Sequence, residues 1–292
     1  MRRTPSLPTL ARKAAAQLLR LIPGSTALRL KRDLRDAAWL NEADAVIVSF
    51  PKSGRTFVRA MLARLYSRRF GIDERELLEF SALRSAAPDV PRVLFTHAGD
   101  AMRRPDDIRL DPGDYAGRRV VLIARHPGDI SVSRYHHLKH RSRDRARRRL
   151  ADQPVESFVW ADEGGIPSIV TFLNRFAAMP GVTILRYEDF LANPEHSLRA
   201  LANAVGLQVE REDISDAVEF GSLTSLRQRE REGYFTSSRL RRAREGDEKS
   251  AKVRSGKSGG YRAQFGPEAA ARIDAYIDQH LNAALGYGSN AR

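Results

Sequence analysis

From Ala43 onward the chain alternates short apolar runs with stretches of helical spacing. Four runs, AVIVSF (45–50), RVLFTH (92–97), RRVVLIAR (118–125) and VTILRY (182–187), are rich in Val and Ile and mostly do not alternate with polar residues. That pattern suits strands buried on both faces of a parallel sheet. Helical stripes fall between and after them. Val58, Met61, Leu62 and Leu65 sit at i, i+3, i+4 and i+7, and Ile273, Tyr276, Ile277 and Leu281 form a similar stripe near the end. Strand and helix in alternation predict a layered α/β fold with ligands at the carboxyl ends of the strands. No internal repeat is present, and residues 233–262, rich in Gly, Ser and charge, read as a long loop suited to a mobile lid.

Residues 1–42 follow a different pattern and are predicted to be a basic amphipathic appendage to a domain spanning 43–292. Leu10, Ala14, Leu18 and Ile22 recur at roughly helical spacing with basic residues between them, and Pro23-Gly24 ends the run. Two readings stay open: a helix lying on an anionic membrane, or a surface helix packed on its own domain.

Composition narrows the class. At 292 residues, 42% hydrophobic and 29% charged, the chain has the make-up of a soluble globular protein. No apolar run reaches the roughly 18 residues a membrane span needs. Arg12, Lys13 and Arg20 interrupt any signal-peptide core. The absence of cysteine excludes disulfides, thiol catalysis and cysteine-zinc sites, and fits a cytoplasmic location. The net charge of +14 is concentrated in two places: residues 1–40 carry nine Lys/Arg against Asp33 and Asp36, and residues 134–149 carry eight against Asp144. Two local patches on a neutral body suit an anionic substrate or an anionic membrane surface. The basic stretches hold few aromatics, which argues against single-stranded nucleic acid.

The segment VIVSFPKSGRTFVRA carries the first candidate chemistry. A strand ends at Phe50 and a helix begins near Gly54, so the backbone N–H groups of Ser53 to Thr56 are expected to face outward at a positively polarised helix terminus. Ser53 and Thr56 add hydroxyls, Lys52 a full charge and Arg55 another, and Gly54 permits close backbone approach. The segment is not the triphosphate-binding pattern G-x-x-x-x-G-K-[ST]. The GKS at Gly256–Ser258 is a decoy, because Ala251 stands where that pattern needs glycine and no apolar strand precedes it. A triphosphatase also needs an acidic residue closing a later strand to hold Mg²⁺, whereas VVLIAR closes with Arg125. The site is therefore expected to work without a metal.

VVLIARHPGDISVSRYHH is a second strand, turn and helix. Arg125 closes the strand, Pro127 opens the helix, and Ser133 lies two turns in, where its hydroxyl could meet the same anion. RVLFTHAGD ends a third strand in His97, a side chain matched to removing a proton near neutral pH. His136, His137 and His140 approach metal-ligand spacing, but no carboxylate accompanies them.

Taken together, these segments resemble the sulfotransferases that use 3′-phosphoadenosine 5′-phosphosulfate (PAPS), from about Ala43 to about Leu285. PKSGRTF resembles the family's P-K-S-G-T-T-W loop, RHPGDISVS its 3′-phosphate segment, FTHAGD the place of its catalytic histidine, LRYEDFLANP an adenine-side strand, and RSGKSGGYRAQF its late R-K-G-x-x-G-D-W-K-x-x-F. The resemblance implies a P-loop-like three-layer α/β fold with a central parallel β-sheet flanked by helices. It implies PAPS as co-substrate and no metal. By the same carry-over, Lys52 binds the bridging oxygen, and Ser53, Gly54, Arg55, Thr56 and Phe57 surround the 5′-phosphosulfate. Arg125, Ser133, Arg254, Ser255 and Gly256 hold the 3′-phosphate, Tyr187 and Thr224 approach the base, and His97 takes the acceptor's proton.

The departures from that family are specific. Arg55 replaces a threonine, Phe57 a tryptophan and Ser255 a lysine, Leu226 stands where the family has an adenine-stacking phenylalanine, and Gly260-Tyr261 replaces D-W. The family's K-x-x-x-T-V-x-x-x-E dimerisation pattern is absent, so the oligomeric state is open. The acceptor is a hydroxyl or amine on an unnamed compound, and the 134–149 patch suits an anionic glycan or lipid. Two alternatives belong to other classes: a P-loop nucleotide kinase, and a non-catalytic basic module that binds membrane or nucleic acid.

Overall fold

The computed structural model describes residues 36–99, 102–108, 110–142, 145–237, 239–240 and 258–288. The four predicted strands are all present, each shorter than its apolar run: β1 Ala45–Val48, β2 Val93–Thr96, β3 Arg119–Ala124 and β4 Thr183–Arg186. They form one parallel sheet in the order β2-β1-β3-β4. Val48 lies opposite Thr96 on one side, and Ala124 lies opposite Arg186 further across. The chain leaves β1 for β2 on one side and returns to β3 on the other. This reversal lies at the carboxyl ends of β1 and β3, the place where open α/β sheets bind ligands.

The continuous apolar runs follow from a sheet covered on both faces. Ala45, Ile47, Val121 and Ile123 face a core built with α1 (Arg55–Phe70), α5 (Pro194–Val205) and α6 (Arg211–Gly221). Val46, Val48, Val120, Leu122 and Ala124 face the opposite core, built with α2 (Pro127–Arg141), α3 (Ile166–Ala177), α8 (Gly260–Phe265) and α9 (Pro267–His280). The predicted stripe on α1 is buried in full: Val58, Met61, Leu62 and Leu65 are 0% exposed. Each such side chain contributes roughly 1.5–3 kcal/mol of burial.

Two local expectations are corrected. Tyr187 does not end β4; it opens α4 (Tyr187–Ala192), whose first turn carries Glu188 and Asp189. Acidic residues there complement the helix dipole and turn the chain out of the sheet. The long loop expected over 233–262 ends earlier than predicted, because α8 begins at Gly260. Residues 241–257, and with them Arg254, Ser255 and Gly256, lie outside the described residues, as do residues 1–35 of the predicted appendage. Residues 36–42 are helical and place Trp39 against Phe80, with ring centroids 5.5 Å apart.

Candidate active site

The loop after β1 is folded by two residues in the left-handed region. Lys52 has φ 80° and Gly54 φ 82°, while Ser53 between them is not in that region. Alternating hands along a backbone turn successive amides toward one side, the geometry of an anion-binding nest. A lysine held there carries strain of about 1–3 kcal/mol, which must be imposed by its surroundings. Two bonds impose it: the Ser53 amide donates to the Phe50 carbonyl at 3.2 Å, and the Arg125 guanidinium donates to the Lys52 carbonyl at 3.0 Å. The first of these corrects an expectation, since the Ser53 amide is used inside the turn. Among the described residues, the amides of Gly54, Arg55 and Thr56 have no backbone acceptor, as befits the first turn of α1.

Arg125 brings the two predicted anion segments together. Besides its bond to Lys52, its guanidinium lies 4.6 Å from the centroid of the Tyr187 ring. That ring packs edge-on against Phe57 at 5.9 Å. It also lies directly over Gly54, where an added Cβ would stand 2.2 Å from Tyr187 Cδ2. Lys52, Gly54, Phe57, Arg125 and Tyr187 thus form one connected cluster at the switch point of the sheet. Buried polar atoms in and beside it have no partner among the described residues: Ser53 Oγ and Arg125 Nε, with Ser49 Oγ just below. Buried donors are almost always satisfied in folded proteins. Donors converging with a nest and a lysine fit a ligand bearing several anionic oxygens.

His97 follows β2, on the opposite side of β1. Its Nδ1 lies 2.6 Å from the Ser49 carbonyl. A carbonyl only accepts, so Nδ1 carries the proton and Nε2 presents a lone pair. Desolvation, followed by the charge of Arg55, holds the imidazole pKa well below its ordinary value; the Ser49 bond acts the other way. The ring is therefore neutral near pH 7 and able to accept a proton. The backbone is strained immediately after it, with Ala98 at φ 51° and its amide bonded to Thr96 Oγ1 at 3.0 Å.

The remaining predicted residues are less closely gathered. Ser133 is half-buried on the second turn of α2, and Thr224 is exposed on α7 (Leu223–Arg231). Leu226, on the same helix, is 1% exposed and belongs to the core beside α1. Four further groups, Glu79, Ser49, Asp129 and Glu188, shape the surroundings of these residues. Glu79 binds Arg239 through two bonds of 2.7 and 3.3 Å beside His97. Ser49 acts through its backbone carbonyl. Asp129, in the first turn of α2, accepts from the amides of Gly259 at 2.7 Å and Tyr261 at 3.3 Å, fixing the start of α8 beside Arg125. Glu188 accepts from the His126 amide at 3.0 Å and the Tyr287 hydroxyl at 2.6 Å. Among the described residues, no three His, Cys, Asp or Glu side chains converge as a metal site, and no helix is long and apolar enough to cross a membrane.

A parallel sheet covered by helices on both faces, with cationic side chains and free helix-terminal amides gathered at its switch point, defines the class as a three-layer α/β protein. The sulfotransferase-domain family matches residues 116–284, more than half of the chain, and the chain belongs to that family. Cytosolic sulfotransferase 7 of Arabidopsis thaliana is 27% identical over 213 aligned positions, covering 64% of this chain and 64% of that relative. The match to it therefore spans just under two thirds of its length. Cytosolic sulfotransferase 10 of the same plant is 24% identical over 272 positions, covering 82% of this chain and 78% of that relative. Among solved structures, mouse sulfotransferase SULT7A1 complexed with PAP superposes with a TM-score of 0.53 at 18% identity, covering 82% of this chain and 84% of that one. At that identity the likeness is one of fold.

Proposed function

We propose that this protein is a PAPS-dependent sulfotransferase that moves a sulfuryl group to a hydroxyl or amine. The observation that carries the reading is the bond from Arg125 to the Lys52 carbonyl, which joins the P-K-S-G loop and the second strand-end cation into one cradle. Family membership and the PAP complex of the mouse relative support the choice of ligand. The donor supplies an activated sulfuryl group. Lys52, Ser53, Gly54 and Thr56 would hold its phosphosulfate, Arg125 and Ser133 its 3′-phosphate together with Arg254, Ser255 and Gly256, and Phe57, Tyr187 and Thr224 its base side. His97 would take the acceptor's proton at Nε2, while Lys52 screens negative charge accumulating on the departing phosphate. Sulfuryl transfer resembles phosphoryl transfer in needing mainly positioning and charge stabilisation. The relatives named cytosolic support a cytoplasmic setting.

Calorimetry with adenosine 3′,5′-bisphosphate in EDTA tests donor recognition, and transfer of ³⁵S from labelled PAPS to a panel of hydroxyl and amine compounds tests turnover. Binding that survives EDTA, with label transfer, is expected. Preference for Mg²⁺·ATP over the 3′-phosphorylated nucleotide would replace this reading with a kinase.

A further inference from the structure

The arginines on the His97 side of the loop, Arg59 and Arg239 with Arg55, have no role in the donor site proposed above. Arg59 is buried, with its Nε held by the Leu77 carbonyl and its Nη2 by the Leu78 carbonyl at 2.6 Å. Leu77 and Leu78 both have positive φ, 53° and 50°, a strained pair that aims two consecutive carbonyls at this guanidinium. Glu79 lies 3.7 Å from Arg59 and binds Arg239 through both oxygens. Ser237 also donates to Glu79, at 3.2 Å. The single carboxylate of Glu79 thus serves two arginines.

Arg55 lacks such carbonyl partners: like Arg59 Nη1, its Nη1 is buried and has no partner among the described residues. The charges that act on it are Arg239, which opposes its ionisation, and Asp36 and Glu79, which favour it. Of the charges that act on His97, that of Arg55 is the strongest, ahead of Arg239 and Lys52. Desolvation and Arg239 pull the Arg55 pKa down to about 9, which leaves it cationic at neutral pH. Arg125 and Tyr187 follow β3 and β4, whereas the charges acting on Arg55 are those of Arg239, Asp36 and Glu79, so its guanidinium belongs with the β2 flank. A buried guanidinium end without an acceptor is costly, and an anionic group placed against it recovers that cost through charge-assisted, bidentate bonding.

We infer that Arg55, with Arg239 beside it, forms an anion subsite for the acceptor, so that the preferred acceptor carries a carboxylate, sulfate or phosphate next to the hydroxyl or amine presented to His97. This rests on the proposed sulfotransferase reading and names the substrate class of that same site.

The test uses matched acceptor pairs with the full chain and labelled PAPS: 4-hydroxyphenylacetate against its methyl ester, glucuronic acid against glucose, and glycerol 3-phosphate against glycerol. In at least one pair the charged member is expected to show at least tenfold higher kcat/KM. Arg55→Gln is expected to remove that gap by raising the KM of the charged member, with binding of adenosine 3′,5′-bisphosphate unchanged. Arg55→Lys is expected to restore part of the gap, since it returns the charge without the planar fork. Equal use of charged and neutral members by the wild type would overturn the inference, as would a gap that persists in Arg55→Gln. A fall in nucleotide affinity in Arg55→Gln, with the acceptor preference intact, would assign Arg55 to the donor instead. Failure of the wild type to bind the nucleotide at all would strike the underlying reading, and is scored separately by calorimetry.

Discussion

Two flanks of the same loop are built in opposite ways. On the β3–β4 flank the polar groups largely satisfy one another: Arg125 bonds the Lys52 carbonyl and lies over Tyr187, Asp129 holds Gly259 and Tyr261, and Glu188 holds His126 and Tyr287. On the β2 flank Arg59 and Arg239 share the carboxylate of Glu79, Arg55 has only the charges of Asp36 and Glu79 in its favour, and His97 is fixed by a backbone carbonyl. The first arrangement is a preformed cradle, in which little needs to move for an anion to bind. The second leaves positive charge standing against a neutral base. Preorganisation on one side and uncompensated charge on the other suit a fixed donor and a charged partner brought to it.

The sharpest way to break the comparison is to separate chemistry from donor binding. His97→Gln removes the base on the β2 flank and is expected to lower turnover by about 10²- to 10⁴-fold. Calorimetry with adenosine 3′,5′-bisphosphate is expected to show unchanged affinity, because no group of the Arg125–Tyr187 cluster is touched. Nucleotide affinity falling in step with turnover would show that the two flanks are one site. Arg125→Gln is the mirror experiment. Loss of a charge-assisted bond costs about 1.5–3 kcal/mol, so nucleotide affinity is expected to fall roughly 10- to 100-fold. The KM for acceptor should not move; a rise in that KM alone would contradict the assignment of Arg125 to the donor.

The two flanks were also unequally legible in the sequence. The donor side could be read because its parts are local: a Val/Ile-rich strand followed at once by P-K-S-G, and a second strand closing in Arg125. Tyr187 was placed on a strand because TILRY continues the apolar run, although Glu188 and Asp189 already marked a helix start. The acceptor side was opaque for three reasons. Glu79 and Arg239 are 160 residues apart. The partner of His97 is a backbone carbonyl, which leaves no signature in residue type. The positive φ values of Leu77 and Leu78 occur without the glycine that usually announces them. Leu226, which stands where the family has an adenine-stacking phenylalanine, is buried in the core beside α1.

A smaller effect is expected from Gly54→Ala, which tests how rigid the donor flank is. The new methyl would have to displace the Tyr187 ring, 2.2 Å from its Cβ, and alanine would be held at φ 82°. Strain at such a position costs about 1–3 kcal/mol. A lowered Tm is expected together with weakened nucleotide binding, because Tyr187 supports Arg125. Unchanged Tm and affinity would mean that the ring can move aside, and that the cradle is less fixed than the hydrogen bonds suggest.

The smallest effect is a displacement along the pH axis, and it probes the coupling between the flanks. Burial disfavours the charged form of His97, and Arg55, Arg239 and Lys52 disfavour it further, while the Ser49 carbonyl favours it. A base whose pKa is lowered keeps its lone pair to lower pH. The acid limb of kcat/KM is therefore expected below the ordinary histidine value of 6.5, with no loss of rate as pH falls through that value. Arg55→Gln removes the strongest of the three charges and should move the limb upward, toward 6.5, even with a neutral acceptor. A limb at the ordinary histidine value in the wild type, or one that stays fixed when Arg55 is neutralised, would show that Arg55 and His97 do not share a site. Arg125→Gln provides the control: the leading charges on His97 are those of Arg55, Arg239 and Lys52, so its limb should stay close to that of the wild type.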